Sequence, residues 1–172
     1  MFDRTAKARN GRPALRLLAA PAEQEAPAPT VSFCSHCGAR PSPAGEPPAS
    51  RVCGACGFGL ILESRLDAAP KEGDAFLVLD RSLSVCAVSE AAERLLATRE
   101  PDAVNRHVTD LVMPAGAEEQ GTESLSLAVM WAARGDGSMR SAVVRPANTF
   151  GIRLTARIAS CGPPRAALLV LE

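Results

Sequence analysis

The chain has 172 residues, 47% of them hydrophobic, and balances 19 basic against 19 acidic side chains for zero net charge. That balance supplies no long-range field toward nucleic acid or an anionic membrane, and no apolar run reaches the ~18 to 20 residues of a membrane span, so the sequence reads as cytoplasmic with no membrane partner. The length accommodates one ordinary domain plus a small module.

Residues 1–30 hold hardly any large apolar side chain after Leu18, too few to offset chain entropy, and read as a disordered Pro-rich basic tail. Its five basic residues, Arg4, Lys7, Arg9, Arg12 and Arg16, lack interleaved aromatics and are offset by Asp3, Glu23 and Glu25. That is a poor phosphate footprint.

Residues 31–63 carry two copies of Cys-x-x-Cys-Gly, "FCSHCGAR" (Phe33 to Arg40) and "RVCGACGFGL" (Arg51 to Leu60), with fifteen residues between Cys37 and Cys53. Each Cys-x-x-Cys turn points two sulfurs at one ion, and Cys34, Cys37, Cys53 and Cys56 together complete a tetrahedron. Gly38 and Gly57 suit a tight turn that needs a positive φ. A thioredoxin-like redox pair would call for a single pair beside a βαβ pattern, and neither condition holds. Iron would accept the same ligands, with Zn2+ the redox-silent default. Four protein ligands leave no open position, so the zinc is expected to be structural, holding a ribbon whose strands would be "PASRVC" and "FGLILE". His36, inside the first pair, is read as an exposed side chain at the tip.

The polar segment "SRLDAAPKEGD" (residues 64–74) reads as a linker, and from Ala75 to Glu172 the pattern becomes that of a packed domain. "AFLVLD" and "LSVCAVS" flank "RS" as a hairpin, and "SEAAERLLAT" offers Ser89 as the cap of a helix. "VNRHVTDLV" (residues 104–112) reads as a second helical patch ended by Pro114, and "TESLSLAVMWAARG" (residues 122–135) as a long helix with Leu125, Ala128, Val129 and Ala132 on its apolar stripe. "SMRSAVVRP", "FGIRLTARIAS" and "RAALLVLE" read as strands. In the middle one Arg153, Thr155 and Arg157 alternate with apolar residues, which marks one wet face, whereas "AFLVLD" and "AALLVL" are apolar throughout, as central strands are.

That order, with "DAFLVLDRSLSVCAVSEAAERLLA" as its most specific stretch, resembles the opening and succession of the PAS family over residues 74–172. Ser89 stands where many members have Asn, and Ala97 where many have Gly. The resemblance implies an α+β fold, a five-stranded antiparallel sheet with helices on one face, here preceded by the zinc ribbon. It also implies a sensory role through a small-molecule ligand in the cup between helices and sheet or through a protein partner, and a homodimer through the open sheet face furnished by Arg153, Thr155 and Arg157. With seventeen Arg against two Lys and no Tyr, the usage is that of GC-rich bacterial genomes.

No catalytic constellation is visible, so the chain is read as not an enzyme. His107 with Asp110 is the one candidate dyad and reads instead as an exposed His beside its neighbour; Met130 and Trp131 read as core packing. The resemblance implies that Cys86 and Cys161 fall on strands separated by two others, and they read as small buried or half-buried hydrophobes with no disulfide. The working function is a non-enzymatic sensory or regulatory protein in signal transduction. Its rival is a transcription-associated nucleic-acid binder using the ribbon and tail, disfavoured because the ribbon has only Arg40, Arg51 and Arg65 against Glu46 and Glu63.

Overall fold

The turn at Arg81 and Ser82 closes because Asp80 Oδ1 accepts the backbone N–H groups of Ser82 and Ser84 at 2.8 and 2.9 Å. In the computed structural model, which describes residues 28–115 and 124–172, this turn joins β3 (Ala75–Leu79) to β4 (Val85–Val88), with β1 (Thr30–Cys34) and β2 (Ile61–Arg65) ahead of them. Most of the expected tail, and the start of the helix expected from Thr122, lie outside the described residues. Helix α1 (Glu90–Leu96) begins where the hairpin ends. Its cap, Ser89, accepts the N–H of Ala92 at 3.2 Å and of Phe76 at 2.9 Å, and donates to the Asp74 carbonyl at 3.0 Å, so one buried hydroxyl ties the helix to the first strand of the domain. The helix closes at Ala97 with φ 49°, a left-handed turn that Gly would adopt at less steric cost.

After α2 (Glu100–Ala103), the expected helical patch is replaced by a turn, one 3₁₀ turn (Val108–Asp110) and a short strand, β5 (Val112–Pro114). Pro114 cannot extend a helix but is tolerated at a sheet margin, where β5 pairs with β6 (Arg140–Pro146). Helix α3 (Leu125–Ala133), capped by Ser124, buries the predicted stripe. Then come β6, β7 (Leu154–Gly162) and β8 (Ala166–Leu171).

The antiparallel sheet has eight strands, not the five expected. Its main path runs β1-β2-β7-β8-β3-β4, with β6 also on β7 and β5 beyond it. Strand β8 occupies one edge of β7 along Ala156 to Cys161; on the other edge β6 covers Leu154 to Ile158, leaving the last residues free. There β2 enters, pairing Glu63 with Gly162 and Ser64 with Cys161, and the Ser64 hydroxyl donates to the Ser160 carbonyl at 2.9 Å. The hairpin itself differs from the expected one. Only a single bridge, Val52 to Leu60, joins the segments flanking the second cysteine pair; the strand opposite β2 is β1, "TVSFC", paired over five residues from Thr30 with Arg65 to Cys34 with Ile61. The alternation of Val31 and Phe33 with polar neighbours accounts for this, since both are buried.

Residues 64–74, expected as a linker, finish β2 and turn a packed corner with Ala68, Ala69 and Pro70 buried. The sheet consequently buries both faces. Toward the helices Leu77, Leu79, Ile158, Leu169, Val129 and Ala132 belong to one cluster. On the opposite face Phe76, Val78, Leu168 and Val170 lie under Val31, Phe33, Leu62 and Ala69, with Phe33 meeting Phe76 edge to face at 5.9 Å between ring centres. The apolar part of the face on which a homodimer was expected is thus occupied by the chain's own hairpin. Of the polar set there, Arg157 donates to the Asp67 carbonyl at 2.7 Å and pairs with Glu172 at 3.0 Å.

Because Phe33 is fully excluded from water and touches the sheet's own core, Phe33→Ala is expected to destabilise the whole chain by about 3 to 5 kcal/mol. Trp131, the single Trp, lies on α3, on the far side of the sheet, and gives the readout. Urea unfolding of the metal-loaded protein followed by its fluorescence should shift to lower denaturant in the variant; an unmoved midpoint would mean that the hairpin and the helical side unfold independently.

Candidate metal centre

Both knuckles close in the same way. Gly38 N–H donates to the Cys34 carbonyl at 3.1 Å and Gly57 N–H to the Cys53 carbonyl at 2.9 Å, with the glycines at φ 74° and 67°, as the repeated Cys-x-x-Cys-Gly implies. The second strand end is held beside the first, since Ser35 N–H donates to the Leu60 carbonyl and Leu60 N–H to Ser35 Oγ.

This closure brings together all four predicted residues. Cys34 and Cys56 Sγ are 3.6 Å apart, Cys37 and Cys53 Sγ 3.9 Å, and every pair falls within 4.8 Å. Metal–sulfur bonds of ~2.3 Å in a tetrahedron would set sulfurs about 3.8 Å apart, so the four thiols fit one ion. Cys34 and Cys53 are buried, Cys37 is half-buried and Cys56 is the outermost. Amide groups face the sulfurs: His36 N–H reaches Cys34 Sγ at 3.4 Å and Gly59 N–H reaches Cys56 Sγ at 3.5 Å. Gly59 must be glycine for a different reason from Gly38 and Gly57. A Cβ there would run into Cys34 Sγ and the His36 backbone.

In the metal-free protein the thiols of Cys34, Cys37 and Cys56 differ. Burial pushes Cys34 up to about 12 and raises Cys37. For Cys56 slight burial raises the value, but the N–H groups of Gly59 and Phe58, together with the neighbouring Cys34 and Cys37 thiols, outweigh it and bring it down to about 6. A low-pKa thiol stabilised by backbone donors is a reactive one.

His36, expected at an exposed tip, is instead half-buried: its ring packs on Phe58 at 5.5 Å, and its Nδ1 lies 3.7 Å from Glu100 Oε2. Its carbonyl accepts the Glu90 N–H, the first of α1, at 2.9 Å. Sequence reading missed this contact between knuckle and helix. Nothing in the spacing of His36 and Glu100 signals it, because they meet only after the hairpin folds across the sheet.

The remaining candidates separate. His107 is exposed and hydrogen-bonds Thr109 Oγ1 at 2.7 Å, while Asp110 pairs with Arg106, so no dyad forms. Trp131 is 41% exposed with the Arg134 guanidinium 5.6 Å from its ring centre, which corrects the core-packing expectation; Met130 is half-buried. The α3 stripe is filled by the smaller Ala128, Val129, Ala132 and Ala133, leaving Trp131 on the outer side. Cys161 is buried, and burial pushes its thiol up to about 12; Cys86 is exposed, not the buried hydrophobe expected, and β8 and β3 lie between their strands. Among the described residues no helix is long and apolar enough to cross a membrane.

No protein-family model matches the chain, and no curated protein matches it. Among solved structures, it is similar to the PAS domain of nitrogen regulation protein NR(II) from Vibrio parahaemolyticus, over 58% of this chain and 88% of that one, with 19% identity and a TM-score of 0.44.

Two outcomes are expected of the cysteines. Cobalt(II), a spectroscopic stand-in for zinc, should bind one ion per chain with thiolate charge-transfer absorption, and Cys53→Ser should abolish stoichiometric uptake; full uptake by the variant would reassign the ligands. In the metal-free protein at pH 7, Cys56 should be alkylated by iodoacetamide first among the four, since it is mostly thiolate while Cys34 is not. Peptide mapping of partly labelled protein that found Cys34 modified ahead of Cys56 would refute that order.

Proposed function

We propose that this chain is a non-enzymatic bacterial regulatory protein in which a structural zinc ion clamps a short ribbon onto a PAS-like domain that works through protein contacts in signal transduction. The observation that carries the reading is the closed set of four sulfurs within 4.8 Å, two of them buried. When bound, the ion supplies four metal–thiolate bonds and no open position for water or substrate. What the residues contribute is the clamp: each knuckle holds two sulfurs, and Gly59 lets the second close on the first.

Protein contact is favoured over a small ligand by the state of the cup. Leu77, Leu79, Val129, Ala132, Ile158 and Leu169 are each 0% exposed and fill the space between helices and sheet. Against nucleic acid stands the use of the ribbon's arginines. Arg40 donates to the Pro70 carbonyl at 3.3 Å and Arg51 to the Pro163 carbonyl at 3.1 Å, so both guanidinium groups are engaged with the chain's own backbone.

Native mass spectrometry of the full chain tests the reading in one measurement. The expected species carries one zinc ion and no organic ligand. A retained small molecule would transfer the function to ligand sensing, and iron in place of zinc would make the site a redox centre.

A further inference from the structure

The first knuckle touches more than its ion. His36 lies between two ligands, and its backbone serves both sides: the N–H faces Cys34 Sγ at 3.4 Å, and the carbonyl accepts the Glu90 N–H at the start of α1 at 2.9 Å. Its imidazole Nδ1 stands 3.7 Å from Glu100 Oε2, on α2. Glu100 is in turn a junction. Its Oε1 accepts the Val88 N–H at the end of β4 at 3.1 Å, and its backbone N–H donates to Glu93 Oε1 on α1 at 2.5 Å. On the other side of the knuckle, a Cβ on Gly38 would meet the Lys71 carbonyl oxygen at 2.6 Å, and one on Gly59 would meet His36 itself, so the turn has no room to shift without moving its neighbours. Helices α1 and α2, of seven and four residues, are too short to hold themselves.

We infer that the first knuckle is a latch through which metal occupancy of the four-cysteine site sets the order of α1 and α2. The inference rests on the metal reading above and goes beyond it, because it couples the ion to two helices that carry none of its ligands. Metal binding fixes the position of His36 through Cys34 and Cys37. That places the carbonyl to cap the first turn of α1 and the ring against Glu100, which gathers β4, α1 and α2. Loss of the ion frees the turn, the orphan N–H of Glu90 loses its acceptor, and the two short helices fray. Linkage makes the effect reciprocal: whatever factor the ion adds to helix order, an intact helix contact adds to metal affinity.

The test uses the full chain, zinc-loaded and metal-free, and reads amide hydrogen exchange in peptides covering residues 89–104. Zinc should slow exchange there on the order of tenfold. Two variants cut the latch without touching a cysteine. Glu90→Pro removes the donor at the first helical position, where Pro is tolerated, and His36→Ala removes the ring. The double variant should still bind one cobalt(II) with thiolate absorption, lose the zinc-dependent protection of residues 89–104, and bind zinc about tenfold more weakly in competition with a chelator. Metal uptake that protects residues 33–60 but leaves 89–104 unchanged in the wild type would overturn the latch while leaving the site intact. A double variant that keeps both the protection and the affinity would overturn it as well. Absence of cobalt uptake by the wild type would overturn the site reading and the latch together.

Discussion

Everything in this fold turns on the sheet having two apolar faces. Strands β3 and β8 place Leu77, Leu79 and Leu169 toward the helices and Phe76, Val78, Leu168 and Val170 away from them, so helices on one side cover only half of what must leave water. The other half is covered by Val31, Phe33 and Leu62 from the cysteine hairpin and Ala69 from the corner behind it. A buried Phe contributes roughly 1.5 to 3 kcal/mol by area alone, and the edge-to-face contact with Phe76 adds to it. The hairpin therefore belongs to the core of the larger unit.

Dependence runs in the other direction too. Apart from Phe33, Val31 and Leu62, the hairpin has a small cluster of its own, Cys34, Cys53 and Ile61, with Cys37 against it. Three of those four members are cysteines of the four-sulfur cluster. A segment of this size holds its shape by cross-links or by leaning on a neighbour, and here it does both. The ion would order the knuckles, while β7 and the outer sheet face order β1 and β2. A change at the sulfurs is consequently a change next to the sheet.

The polar details follow the same division. Asp80 and Ser124 satisfy a turn and a helix end within a few residues of themselves, and Ser89 caps its own helix while also reaching back to Asp74 and Phe76. His36, Glu100, Ser64, Arg51 and Arg157 make contacts across the chain, and these long-range bonds concentrate where the hairpin meets the rest. Arginines that look like free positive charge in the sequence are donors to carbonyls once folded. Charge counting alone could not reveal this, because which of a guanidinium's five donors meet an acceptor depends on what the fold brings near.

By itself the sequence determined what short-range geometry controls. The clustering of the four cysteines was legible because a Cys-x-x-Cys turn presents both sulfurs to one side whatever surrounds it, and Gly38 and Gly57 sit at the positive φ that the turn requires. The β3–β4 hairpin, the Ser89 cap and the α3 stripe were legible for the same reason: period, cap and turn chemistry act over a few residues. Only the tertiary structure decided which strand pairs with β2, that eight strands share one sheet, that residues 64–74 pack as a corner, and that His36 faces Glu100. Trp131 was misread because a stripe of small residues filled the space first. The apolar run "AFLVL" announces burial on both faces without saying what provides it, since burial is a property of surfaces that meet and Phe33, which meets Phe76, lies more than forty residues away in the chain.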